Sequence, residues 1–219
     1  MTKIFITGFK NSGTTLLMQL IRGHPQVGWI EFEEGYIEFD KSKDWVLMMA
    51  KKKVPNLKKY AWGEKLPWGT RENDKKGKRA ISFSKKWLKF FGKEARILHI
   101  LRHPCDVALS GGRQDNIPGK DALEFMFSSL PKYIDFVNSD KRCATILYED
   151  LVLEPALYLF KIFKFLNLKD DNKTVNKVMN TELKFGKINP DRAYAHLVNS
   201  SSNLEVDYTK FIERLESRI

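Results

Sequence analysis

The stretch Ile4-Phe5-Ile6-Thr7-Gly8-Phe9-Lys10-Asn11-Ser12-Gly13-Thr14-Thr15-Leu16-Leu17-Met18-Gln19-Leu20-Ile21-Arg22 decides the fold. Residues 4–7 form a short apolar run with β-branched members, ended by Gly8, which reads as a buried strand. Gly8 to Gly13 is a polar loop bounded by glycines. Thr14–Arg22 reads as a helix with a largely apolar face. It stops before His24-Pro25, because the residue preceding a proline avoids helical angles. Strand, glycine-bounded loop and helix in that order make the first half of a βαβ unit.

Working outward, residues 97–101 and 144–148 are two more buried-strand candidates, each followed by helical pattern. After the first, residues 106–110 begin a helix or turn that Gly111-Gly112 interrupts, and residues 123–138 read as a helix. After the second, residues 155–168 read as an amphipathic helix with Leu157, Phe160, Phe163 and Leu166 near one face. Residues 44–53 and 84–91 have helical pattern. Residues 62–69, 73–78 and 199–203 read as loops, and 208–215 as a terminal helix. Three strands of this kind imply an α/β, three-layer fold, a central parallel sheet with helices on both faces. In such sheets the ligand binds at the carboxyl ends of the strands. The polar segments 8–15, 102–110 and 148–150 all fall there. No repeat or linker divides the chain, so residues 1–219 read as a single domain.

Composition narrows the function classes. Hydrophobic residues at 42% and aromatics at 12% supply a core and exclude wholesale disorder. Cys105 and Cys143 are too few to staple 219 residues and carry no metal-ligand spacing, so they read as reduced thiols of a cytoplasmic protein. Residues 1–8 read as strand and turn and so are not expected to be a leader, and no apolar run approaches the roughly 18 residues that span a bilayer. The net charge of +11 attracts anions, whether nucleotide, acidic acceptor or nucleic acid. Most of the lysine clusters, such as Lys51-Lys52-Lys53, read as a solvated face.

Three motifs carry chemistry. Gly8 to Gly13 has the G-x4-G frame of a phosphate-binding loop, in which curled N–H groups and the following helix dipole receive an anion. A loop for ATP or GTP needs Gly-Lys-Ser/Thr at its end, and this chain has Gly13-Thr14-Thr15. Arg102-His103-Pro104-Cys105-Asp106 places a planar guanidinium fork at a strand end, with Ser110 eight residues on as a hydroxyl donor. Asp106 can fix the turn or hold the arginine. Tyr148-Glu149-Asp150-Leu151 with Pro155 is a strand end followed by a helix start.

Together these segments resemble the sulfotransferase family that uses 3′-phosphoadenosine 5′-phosphosulfate (PAPS) as donor. Gly8 to Leu17 is similar to its 5′-phosphosulfate loop, Arg102 to Ser110 to its 3′-phosphate motif, and Tyr148 to Leu151 with Phe165-Leu166 to its third signature. The resemblance implies a P-loop NTPase-like sulfotransferase fold and PAPS as co-substrate, with PAP (3′-phosphoadenosine 5′-phosphate) as product and no metal. It implies that Ser12, Gly13, Thr14 and Thr15 cradle the 5′-phosphosulfate, that Arg102 and Ser110 grip the 3′-phosphate, and that Lys10, Asn11 and Tyr148 also belong to the donor site. The family carries a basic residue directly before Ser-Gly-Thr, where this chain has Asn11. Either Lys10 reaches in, or Lys65 substitutes from a Gly63-Glu64-Lys65-Leu66-Pro67 segment similar to one in bacterial members, or activity is reduced.

The acceptor hydroxyl needs a base. His99 lies within a strand and reads as packed. The His24-Pro25-Gln26-Val27 stretch and the acids after it resemble the tyrosylprotein and heparan-type branch, which implies Glu33 or Glu34 as base, with Glu31 close behind. The acceptor is a small molecule, a glycan or a peptide. Two other readings stay open: a P-loop small-molecule kinase, and a catalytically weak protein binding PAP or nucleic acid. The chain shows none of the signatures of the standard nucleic-acid folds.

Overall fold

The structure is a computed structural model, and it describes residues 1–32, 42–67, 78–115, 119–180 and 213. Five parallel strands form its centre: β1 (Lys3–Gly8), β2 (Val27–Phe32), β3 (Ala61–Lys65), β4 (Ala95–Leu101) and β5 (Cys143–Leu147). Their order is β2-β3-β1-β4-β5. The chain runs from β1 out to β2, returns through β3, and then crosses β1 to reach β4. The order therefore reverses beside β1, which opens a crevice at the carboxyl ends of β1 and β4.

Among the described residues the helices are α1 (Thr14–Arg22), α2 (Lys43–Lys53), α3 (Lys78–Phe91), α4 (Pro104–Asp115), α5 (Gly119–Asn138), α6 (Tyr148–Leu153), α7 (Pro155–Phe165) and α8 (Asn172–Met179). They cover both faces, because side chains alternate along each strand. Ile4 and Ile6 of β1, with Leu98 and Ile100 of β4, meet Leu17, Ile21, Leu159, Ile162 and Phe163. Phe5 of β1, with Ile97 and Leu101 of β4, meets Val46, Trp87, Leu130, Tyr133 and Ile134. Trp62 belongs to this second core and stands edge-on to Trp87, at 6.1 Å between ring centroids. Burial of apolar surface on both faces, at roughly 25 cal/mol per Å2, is what holds a sheet of this kind.

The structure corrects four local expectations. Residues 62–65, expected as loop, are strand β3, buried along its whole length. Val27–Phe32, left unassigned in the sequence, is strand β2. The Gly111-Gly112 pair does not end α4, which continues to Asp115. On α7 the buried face is Tyr158, Leu159, Ile162 and Phe163, whereas Leu157 is 45% exposed. Of the expected loop at 73–78, Lys78 is the first residue of α3, while 73–77 and the expected loop at 199–203 lie outside the described residues. So does the expected terminal helix, apart from Glu213, which is helical. Cys105 and Cys143 are buried free thiols. No helix among the described residues is long and apolar enough to cross a membrane.

Candidate active site

The site begins where β1 ends. The chain turns through Phe9 to Ser12, and the turn is closed by the Ser12 N–H donating to Phe9 O at 3.0 Å. Asn11 (φ 70°) and Gly13 (φ 99°) both take left-handed backbone angles. Glycine does so without penalty, and asparagine does so more readily than most residues. Gly13 is also required for close approach, since a Cβ there would stand 2.5 Å from Tyr148 Cδ2. Helix α1 follows with no side-chain cap. Its first-turn N–H groups, which have no partner within the helix, are left to a ligand at the positive end of the dipole. Ser12 Oγ and Asn11 Nδ2 are buried and make no hydrogen bond within the described residues.

Arg102 approaches the same loop from the end of β4. Its Nη1 donates to Asn11 O at 3.4 Å, and its Nη2 lies 3.6 Å from Asp106 Oδ2. The guanidinium stacks over the Tyr148 ring at 4.5 Å. Leu101 and Leu147 are register partners, so Arg102 and Tyr148 are the next residues out of two adjacent strands. Ser110 is half-buried on α4, one turn beyond Asp106 and on the same face of the helix.

Lys65 is the last residue of β3. It pairs with Ile6, and its side chain lies on the α1 side of the sheet. Its Nζ donates to Thr15 Oγ1 at 3.3 Å, and the residue is 1% exposed. A buried lysine is thus held against the first turn of α1. Lys10 is half-buried within the loop itself. Glu31 lies on β2 in register with Glu64, a fully buried residue of β3. Glu33 and Glu34 lie outside the described residues.

Two histidines of interest are packed. His99 is fully buried with its ring 4.1 Å from that of Tyr133, and burial pulls its pKa down to about 3. His24 accepts from the Gln26 N–H at Nδ1 (3.1 Å), so its Nε2–H donates to Lys169 O (2.8 Å). Sequence reasoning gave no role to Glu149. Its Oε1 accepts from the His103 N–H at 2.9 Å, and burial pushes its pKa up to about 7. No cluster of three or more His, Cys, Asp or Glu able to hold a metal occurs among the described residues.

The sulfotransferase-domain family model matches residues 1–218. This chain belongs to the sulfotransferase family. Its fold is similar to the sulfotransferase domain of the Synechococcus PCC 7002 olefin synthase (19% identity, 97% of this chain and 94% of that one, TM-score 0.66). It is also similar to a sulfotransferase from Alicyclobacillus acidocaldarius (17%, 99% and 94%, 0.59). A third likeness is to mouse sulfotransferase SULT7A1 complexed with PAP (16%, 98% and 84%, 0.55). No curated protein sequence matches the chain. At these identities the likenesses speak for the fold alone.

The sulfotransferase's own residues fit an anionic nucleotide. Two buried polar groups without a hydrogen-bond partner among the described residues, an uncapped helix N-terminus and a stacked arginine fork converge at the β1–β4 crevice. Each of these would be stabilised by a phosphate-like oxygen.

Proposed function

We propose that this sulfotransferase holds PAPS with its 5′ side in the loop from Gly8 to Thr15 and its 3′-phosphate at Arg102 and Ser110, and transfers the sulfuryl group to a hydroxyl of a small-molecule, glycan or peptide acceptor. The observation that carries this reading is the guanidinium of Arg102, held beside the loop by Asn11 O, Asp106 and the Tyr148 ring. A fork fixed on three sides is preorganised for a phosphate that ATP lacks, at the sugar's 3′ position. It gives a kinase nothing, and the Gly-Lys pair a kinase needs is missing.

When bound, PAPS supplies a sulfuryl group joined to a phosphate leaving group. The first N–H groups of α1 and the Thr15 hydroxyl donate to oxygens on the 5′ side. Lys65 Nζ, already donating to Thr15 Oγ1, brings positive charge to the place where negative charge grows. This lysine supplies what Asn11 lacks, and we assign it the role ahead of Lys10. Glu33 or Glu34, with Glu31 as the third candidate, accepts the acceptor hydroxyl proton at a carboxylate oxygen. The shared five-stranded sheet supports a single domain, and the two buried free thiols support a cytoplasmic setting.

The test is PAP release from PAPS over a panel of phenol, steroid and sugar hydroxyls, with kcat followed on the best acceptor. Lys65→Met is expected to lower kcat by about a hundred- to a thousandfold, the range for losing one preorganised charge-stabilising donor. PAP affinity should change far less, and Lys10→Ala should stay near wild type. A large loss in Lys10→Ala with Lys65→Met unaffected would return the role to Lys10.

A further inference from the structure

Glu149 is a buried carboxylate at the edge of the nucleotide site that the mechanism above does not use. Its position follows from where the last β4–β5 pair ends and α6 begins. Leu101 of β4 pairs with Leu147 of β5 as the last pair of the ladder, and β5 passes directly into α6 at Tyr148. The next residues, Arg102 and Tyr148, form the stacked fork. One residue further along each chain, the His103 N–H donates to Glu149 Oε1, on the first turn of α6, at 2.9 Å.

This bond fixes the turn that aims Arg102. Pro104 has no N–H, the Cys105 N–H donates to His103 Nδ1 at 3.3 Å, and the Asp106 N–H donates to His103 O at 3.0 Å. The turn is thus folded on itself and tied from outside by Glu149. The charged groups facing Glu149 are Arg102, which favours its ionised form, and Asp106, which opposes it. A phosphate arriving at Arg102 would add negative charge to a guanidinium already near Asp106.

We propose that Glu149 is a positioning residue for the 3′-phosphate, holding the Arg102–Pro104 turn through the His103 N–H, and that binding of the 3′-phosphate at Arg102 is coupled to protonation of Glu149. The inference rests on the reading of Arg102 as the 3′-phosphate ligand. The proton goes to Oε2, so Oε1 continues to accept from His103. Burial has already lifted the carboxyl to about 7, so a modest further rise on binding crosses neutral pH. The sign follows from linkage. The bound state holds the proton more tightly, so binding takes up a proton near pH 7, and affinity falls as pH rises through the free and then the bound pKa.

The experiment is calorimetric binding of PAP and of AMP, which lacks only the 3′-phosphate. It is run between about pH 6 and pH 9 in buffers of different ionisation heat, on wild type, Glu149→Gln and Glu149→Ala. Wild type is expected to take up a fraction of a proton with PAP beyond that seen with AMP. Glu149→Gln keeps the acceptor oxygen but should lose that extra uptake, with PAP affinity at high pH equal to wild type or better. Titration of the ligand's own phosphate is common to both proteins and cancels between them. Glu149→Ala, which loses the acceptor as well, should bind PAP up to about tenfold more weakly than Glu149→Gln, the scale of one net hydrogen bond between neutral groups, with AMP moved less. Equal proton uptake by wild type and Glu149→Gln, or equal weakening of PAP and AMP in Glu149→Ala, would overturn the proposal. If wild type does not prefer PAP to AMP, the reading of Arg102 itself fails, and this inference with it.

Discussion

A methyl group at Gly13 would stand 2.5 Å from Tyr148 Cδ2, at a backbone φ of 99°. Gly13→Ala is therefore expected to cost about 1–3 kcal/mol of stability from the left-handed angle alone. It should also push Tyr148 off Arg102 and weaken PAP binding. Thermal melting and calorimetry on the variant check both effects, and a variant unchanged in both would show that the loop and Tyr148 are not in contact. At this scale the residues proposed to bind phosphate were readable as candidates in the sequence. Gly8, Gly13 and Arg102 belong to short motifs whose chemistry is local. Lys65 could be named only as one of two alternatives, because its meeting with Thr15 joins β3 to α1 across fifty positions of chain. Glu149 was not legible at all, since a Glu at a helix start is ordinary and only the adjacency of β4 and β5 brings it to His103.

Strand β3 shows why an element can escape a sequence reading. Trp62-Gly63-Glu64-Lys65 holds three residues poor in strands, and it reads as a turn. It is a strand because β1 and β2 flank it and take up its backbone groups. Gly63 is needed there, since a Cβ would lie 1.8 Å from Ile4 O of β1. Conversely, Gly111-Gly112 reads as a break yet lies within α4, where tertiary context outweighs a propensity cost of about 1 kcal/mol per glycine. Strand β4 carries a prediction of its own. His99 stays neutral in the fold, with its pKa held near 3, while the unfolded chain takes up a proton below about pH 6.5. The unfolded state binds more protons in that window, so stability present above pH 6.5 is lost as pH falls toward 3. Melting temperature followed against pH should fall less steeply for His99→Phe than for wild type. Parallel curves would mean that His99 contributes nothing to acid sensitivity.

At the scale of the whole molecule, the strand order β2-β3-β1-β4-β5 brings together three segments that are distant in sequence. The loop after β1, the arginine after β4 and the tyrosine after β5 all emerge on one edge. The parallel sheet and its two helical faces followed from the spacing of apolar runs, while the positions of two strands did not. The net charge of +11 favours an anionic donor without naming it. In the proposed reading the fork at Arg102 receives the 3′-phosphate, the group that separates PAP from the nucleotides of a kinase. The decisive measurement is calorimetric binding of PAP against ADP on the wild-type protein and on Arg102→Ala. The expected result is tight binding of PAP, weak binding of ADP, and loss of the preference in Arg102→Ala. ADP binding as well as PAP, or a preference that survives the substitution, would contradict the assignment of this site.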